Sequence, residues 1–314
     1  MPIYEGRASG RICLLGDNTD LIEKPALAAA ISAFLTIDLE KNGNRHVRMT
    51  ARDLSYVEEF PLGATPSLES PLRYLNAIYL RLKDRIDSGF DATVRSDIPV
   101  GSGLSSSSAL CIAFIRALGR AFDLELSPAQ VAELAFVVEN LDLGVECGRM
   151  DQYAIAYGGV SYIETGSQPR VESLATPELP VIVADTQEKH NTRDLQVWLR
   201  KRLSEAEPLL LSSLERVVGL VEEGRKAILA ADLPLLGELM QRQQREEKLM
   251  GTSTERLELL CAAALRSGAL GAKQMGAGGG GCIVALCTRE GQEKVKEALE
   301  SLGAPAWAFR VAGR

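Results

Sequence analysis

Histidine is scarce in this chain: 314 residues include only His46 and His190. The six cysteines, at positions 13, 111, 147, 261, 282 and 287, form no CxxC pair. So few imidazoles and unpaired thiols argue against a structural zinc centre. Most of the cysteines sit in apolar runs such as Leu110-Cys111-Ile112 and Cys282-Ile283-Val284, the pattern of reduced core cysteine. No apolar stretch approaches the roughly 20 residues of a membrane span. A basic excess is also missing: 35 Lys and Arg face 42 Asp and Glu, a net charge of −7. Neither a nucleic-acid partner nor a membrane is therefore expected. The opening MPIYEGRASGR lacks the basic-then-apolar pattern of a signal peptide, so the expected location is cytoplasmic. Hydrophobic residues at 46% and charged residues at 25% exclude wholesale disorder. The length allows two domains.

Short apolar or alternating runs at 11–16, 34–40, 46–50 and 91–98 read as strands. Residues 70–86 place Leu72, Leu75, Ile78, Tyr79 and Leu82 at helical spacing. Pro25 to Ile31, rich in alanine, fits a buried helix or a strand, and periodicity does not decide. Ser127-Pro128 suits the N-cap and N1 of a helix that ends near 139–143. The stretch 193–267 is mainly helical, with charge clusters such as Gln241 to Lys248 expected on solvated faces. Strands return at 180–184 and 282–287. The order points to an α+β chain of two domains, 1–175 and 176–314.

Two loops carry the chemistry. Pro99-Val-Gly-Ser-Gly-Leu-Ser-Ser-Ser-Ser-Ala109 joins a strand to a helix. Glycine lets backbone approach an anion closely. The unpaired N–H groups of the next helix carry the positive end of its dipole. Gly101, Ser102, Gly103, Leu104 and serines 105, 106, 107 and 108 thus form a candidate triphosphate cradle. No Lys-Ser/Thr pair follows, so it is not a Walker A loop. Ser106 stands where a dinucleotide fingerprint needs its third glycine. A flexible helix-capping loop is the plainer alternative. The second loop, Gly276-Ala277-Gly278-Gly279-Gly280-Gly281, is entropically expensive and suits close backbone approach.

The 99–109 loop and Gly271-Ala-Lys-Gln-Met-Gly-Ala-Gly-Gly-Gly-Gly-Cys282, with Gly10-Arg-Ile-Cys-Leu-Leu-Gly-Asp-Asn-Thr-Asp20 before them and Cys147-Gly-Arg-Met-Asp-Gln152 between them, resemble the ordered motifs of the GHMP kinases: galactokinase, homoserine kinase, mevalonate kinase and phosphomevalonate kinase. Asp185 to Arg193 resembles the galactokinase segment ending Asn-Thr-Arg. The resemblance implies an α+β fold with an N-terminal ribosomal-protein-S5-domain-2-like part and a C-terminal ferredoxin-like part. It implies ATP and Mg²⁺ as cofactors. Asp151 becomes the base that takes the acceptor proton, and Arg11 its catalytic partner. Ser107 and Glu139 match the metal positions, and Pro99 with 101–108 the ATP loop. Asp17, Asn18, Asp20, Cys147, Gly148 and His190 match acceptor-contacting positions, with Asp151 beside them. Gly276, Ala277, Gly278, Gly279 and Gly280 match the third motif.

The expected activity is that of an ATP-dependent sugar kinase acting at the anomeric hydroxyl of a hexose, pentose or uronic acid. Its partners are the sugar and ATP, in a monomer or homodimer. The alternatives are a mevalonate kinase, to which Lys24 to Ile31 is closer, a heptose-phosphate kinase, and a non-catalytic sugar sensor. Asp17, Asn18 and Leu21 replace the usual Glu, His and Tyr of galactokinases, which sets the acceptor apart from the machinery.

Overall fold

The computed structural model describes residues 2–99, 102–176, 178–188 and 192–311. Among them, the strands are β1 (Ile3–Leu15), β2 (Ala26–Lys41), β3 (His46–Ala51), β4 (Tyr56–Pro61), β5 (Phe90–Ser96), β6 (Val160–Glu164), β7 (Arg170–Leu174), β8 (Val181–Asp185), β9 (Gly271–Gln274), β10 (Cys282–Leu286) and β11 (Ala306–Phe309). The helices are α1 (Arg73–Leu82), α2 (Ser106–Ala121), α3 (Pro128–Val137), α4 (Met150–Tyr157), α5 (Thr192–Ser204), α6 (Pro208–Leu229), α7 (Leu233–Met250), α8 (Glu255–Arg266) and α9 (Gln292–Glu300).

The ambiguous alanine run is the first part of β2. Residues 26–31 are buried without interruption, whereas 32–39 alternate. A strand covered on both faces has no period-2 signature, which is why its sequence leaves helix and strand open.

Two compact units emerge, and the chain passes between them more than once. The first comprises Met1–Gly10, Ala33–Val100 and Ser105–Tyr157. Here the later part of β2 pairs antiparallel with β5, from Leu35↔Ser96 to Lys41↔Phe90. β5 pairs parallel with β3, and β3 antiparallel with β4. Phe60, Tyr79, Phe90, Phe114 and Phe122 form a run of ring contacts at 5.0–6.5 Å in its core. Ser127 caps α3 through Gln130 in a reciprocal capping box, with Pro128 at N1.

The second unit comprises Arg11–Ser32, Gly101–Leu104 and Gly158–Arg314. Its four-stranded sheet has the order β11-β8-β10-β9. Ile182, Ala184, Ile283 and Ala285 of that sheet pack with Leu257, Leu260, Val295 and Leu299 of α8 and α9. The early part of β2 pairs antiparallel with β6 (Ala26↔Ile163), and β6 with β7.

Helix α7 crosses β9 at two glycines. A Cβ at Gly237 would stand 2.4 Å from the Leu270 carbonyl oxygen, and one at Gly271 2.2 Å from that of Gly237. Gly237→Ala is therefore expected to destabilise the protein by about 1–3 kcal/mol, because backbone on both sides has to shift. The urea midpoint checks this, and a midpoint equal to wild type contradicts the close packing.

Candidate active site

In the first unit, the N-terminus of α2 gathers the serine run. Ser105 precedes the helix with φ 58°, a left-handed conformation that a serine adopts only at a cost. Its Oγ makes no helix cap. It donates instead to Asp151 Oδ2 at 2.5 Å. Asp151 lies in the first turn of α4 and is half-buried. The strained turn thus aims a hydroxyl at the carboxylate, and α2 opens directly behind it.

Glu139 stands beside this pair on a π-helical turn, Val138–Asp142, that continues α3. One extra residue in such a turn re-aims a side chain. Glu139 is buried and accepts from Ser108 Oγ (2.7 Å) and Gln152 Nε2 (2.6 Å). Burial raises its carboxyl above the usual carboxylate range, against hydrogen bonds from Ser108, Gln152 and Ser107; the Asp151 charge adds to the rise. A divalent cation on Glu139 and Ser107 would offset that burial, and an all-oxygen donor set of this kind suits Mg²⁺. Behind α4, Arg149 makes two 3.1 Å bonds to Glu133, and Tyr153 Oη donates to Glu133 at 3.0 Å. These contacts anchor the segment that carries Asp151. Cys147, half-buried, accepts at its carbonyl from Asn140 Nδ2.

In the second unit, Arg11 grips the loop that leads to the serines. Its backbone N–H donates to the Leu104 carbonyl at 3.1 Å, and its Nη1 to the Gly103 carbonyl at 2.7 Å. Arg11 is 6% exposed. Ser102 and Leu104 are buried and Gly103 has φ +65°. Gly101 and His190 lie outside the described residues.

The Asp17-Asn18-Thr19-Asp20 turn, whose Asp17, Asn18 and Asp20 match acceptor-contacting positions, is largely buried. Asp17 has no exposed surface. Oδ2 pairs with Lys273 Nζ and accepts from Gln243 Nε2 (3.0 Å). Oδ1 accepts from the Gly276 N–H at 2.6 Å. Lys273 is equally buried and also donates to the carbonyls of Cys13 (3.3 Å) and Gln274 (2.7 Å). Burial alone lowers a lysine, but Asp17 overrides it and the ammonium is held above its ordinary range. Asn18 donates to Glu247 at 3.4 Å, and Thr19 Oγ1 to the carbonyls of Gly16 and Pro25. Only Asp20 of the four is half-exposed. Asp17 thus ties the first motif to the third, fixing the first glycine of the 276–281 loop.

The Gln241–Lys248 stretch is solvated on one face alone. Arg242 and Glu246 pair outward with Glu223 and Arg216. Gln243, Gln244 and Glu247 are buried against the two motifs. Lys273, inside the third motif, and Gln243 and Glu247, outside the motifs, are buried polar residues to which the motif resemblance assigns no role. The i,i+4 spacing of Gln243 and Glu247 was the available signal, but it fits an exposed face equally well. Among the described residues, no three His, Cys, Asp or Glu side chains gather closely enough to hold a metal by themselves. No described helix is long and apolar enough to cross a membrane.

A left-handed serine turn feeding a helix N-terminus, a carboxylate on its hydroxyl and a second, buried carboxylate nearby are groups of the kind that phosphoryl transfer uses. Two family models match the chain: GHMP kinases N terminal domain over 73–159 and GHMP kinases C terminal over 225–305. The chain belongs to the GHMP kinases. It is similar to the mevalonate kinase of Thermococcus sibiricus, 36% identical over 94% of this chain and 92% of the relative. The galactokinase of Thermococcus kodakarensis is 31% identical over 88% and 87%. The Methanococcus jannaschii mevalonate kinase structure superposes with a TM-score of 0.85 at 21% identity, covering 99% and 98%. That likeness concerns the fold alone, and the α+β architecture agrees with it.

Proposed function

We propose that this GHMP kinase transfers the γ-phosphate of ATP to the primary hydroxyl of mevalonate, with Asp151 as the base. The observation that carries the choice of acceptor is the state of Asp17. A sugar site needs accessible acceptors for several hydroxyls. Asp17 is instead buried and engaged with Lys273, Gln243 and Gly276. An acceptor with few hydroxyls loses little by this. The mevalonate kinase relative at 36% identity and the alanine-rich start of β2 support the same reading over a sugar kinase. The second reading, a sugar kinase acting at the anomeric hydroxyl, draws on the Cys147 to Gln152 segment and the galactokinase relative.

In this reading Asp151 accepts the hydroxyl proton, and the Ser105 hydroxyl keeps its carboxylate oriented. Arg11 holds the loop at Gly103 and Leu104 and stabilises charge developing on the transferred group. Pro99, Ser102 to Ser108 and the α2 N-terminus hold the phosphates. Mg²⁺, held by Ser107 and Glu139, would neutralise charge on the phosphate oxygens. Asn18, Asp20, Cys147 and Gly148 are read as acceptor contacts, and Gly276 to Gly280 as a loop that contributes to ligand binding. The expected boundary near 175 falls between the two matched family segments, 73–159 and 225–305, whereas the compact units exchange the chain at several earlier points and last at Gly158.

The test is turnover of ATP and Mg²⁺ with mevalonate, galactose, other free sugars, uronic acids and a heptose phosphate, with NMR to locate the new phosphate. Mevalonate is expected to exceed every sugar in kcat/KM by about 100-fold or more. Preferential phosphorylation of an anomeric hydroxyl sinks the mevalonate reading. Tight sugar binding without any turnover sinks both enzyme readings in favour of a sensor.

A further inference from the structure

Glu247 of α7 has no exposed surface. Its carboxylate accepts from four neutral donors: Thr252 Oγ1 (2.7 Å), Gln243 Nε2 (3.1 Å), Gln274 Nε2 (3.2 Å) and Asn18 Nδ2 (3.4 Å). The charged groups that face it are Asp17 from the first motif and Lys273 from β9. The Lys273 ammonium is already committed to Asp17 and two carbonyls. Among the described residues no cation pairs with Glu247. A buried carboxylate held only by dipoles is costly, and such a group persists where it has a task.

Two further observations indicate the task. Gln274 Oε1 is buried without any hydrogen-bond partner, while its Nε2 bridges Glu247 and Thr252. The glycine-rich loop rests on the same two residues. Gly279 N–H donates to the Thr252 carbonyl at 2.7 Å. A Cβ at Gly278 would lie 2.3 Å from that oxygen and 2.5 Å from Gln274 Nε2.

We infer that Glu247 is a positioning residue for the 276–280 loop: as a carboxylate it holds Thr252 and Gln274 beneath Gly278 and Gly279, and on taking a proton from solvent it releases that hold. The orphan Gln274 Oε1 then gains a partner, since a turn of the amide lets it accept from the new carboxyl O–H. The inference rests on the reading of this loop as part of the ligand site.

Burial, and after it the Asp17 charge, push the Glu247 carboxyl up to about 7, against the Thr252 and Gln243 hydrogen bonds and Lys273. Between its unfolded value near 4.5 and about 7 the folded chain keeps a proton that the unfolded chain has lost. Stability from this group is therefore greatest below that window and falls as pH rises through it. The loop-holding, ionised form is the less stable one.

That opposition supplies the test. Glu247→Gln keeps the shape and removes the charge. At pH 8 its Tm is expected above wild type, a gap that closes by pH 5. At pH 8 its amides at 276–280 are expected to exchange hydrogen roughly tenfold faster, and its kcat/KM to fall roughly tenfold. Thr252→Val is expected to loosen the same amides at every pH without the Tm gain. Loop exchange unchanged in Glu247→Gln, or Tm and activity falling together, overturns the inference. Exchange and Tm need no acceptor. A wild-type protein inactive on every acceptor therefore refutes the kinase reading while these two readouts still decide the role of Glu247.

Discussion

Asp151→Asn is expected to lower kcat by about a thousandfold while nucleotide affinity stays within about threefold of wild type. The amide keeps an oxygen that can accept from Ser105, so the 2.5 Å contact to the left-handed turn survives in form. What it loses is the ability to take the acceptor's proton. In the proposed reading, nucleotide binding depends on the 102–108 loop and the α2 N-terminus, which the substitution leaves alone. Steady-state turnover and calorimetric titration with a non-hydrolysable ATP analogue separate the two effects. Retention of a tenth or more of wild-type kcat removes Asp151 from the role of base. Equal loss of turnover and nucleotide affinity points instead to a collapsed loop.

The largest stability effect is expected at Lys273. Lys273→Met leaves Asp17 buried, charged and without its cation, a change that typically costs about 3–5 kcal/mol. Both side chains have no exposure to water, so solvent cannot take over as the partner. The Gly276 N–H and Gln243 remain as donors to Asp17 but carry no charge. The double variant Asp17→Asn with Lys273→Met removes both charges and is expected to recover a substantial part of the loss, since paired sites are not additive. Urea denaturation of the two single variants and the double checks the cycle. Additive losses show that the residues act separately, and the proposed tie between the first and third motifs fails.

The same pair shows why burial of the first motif was hard to read from the sequence. The segment from Gly10 to Asp20 looks like a hydroxyl-binding turn because Asp, Asn and Thr have that chemistry in any setting. Whether their oxygens face a ligand or a lysine depends on a residue 256 positions away in the chain. The residues proposed for phosphoryl transfer were more legible. Ser105 to Ser108, Glu139 and Asp151 are close in sequence order and their contacts run between neighbouring helices, so local motifs carried them. The π-helical turn that aims Glu139 and the Ser105 contact to Asp151 leave no mark in composition.

By itself, the amino-acid sequence determined the α+β class, the GHMP kinase motifs in their order, the serine loop and the carboxylate at 151. These are properties of local pattern: turn chemistry, helix-start signals and residue types at set spacing. Tertiary structure alone decided which polar residues are spent inside the protein. It turned the 26–31 run into a strand covered on both faces. It sorted Gln243 and Glu247 inward and Arg242 and Glu246 outward on one helix. It closed Asp17 onto Lys273, Gln243 and the Gly276 N–H. The physical reason is common to all three. Burial and charge pairing depend on distant segments meeting, and a side chain's chemistry does not state which partner it meets.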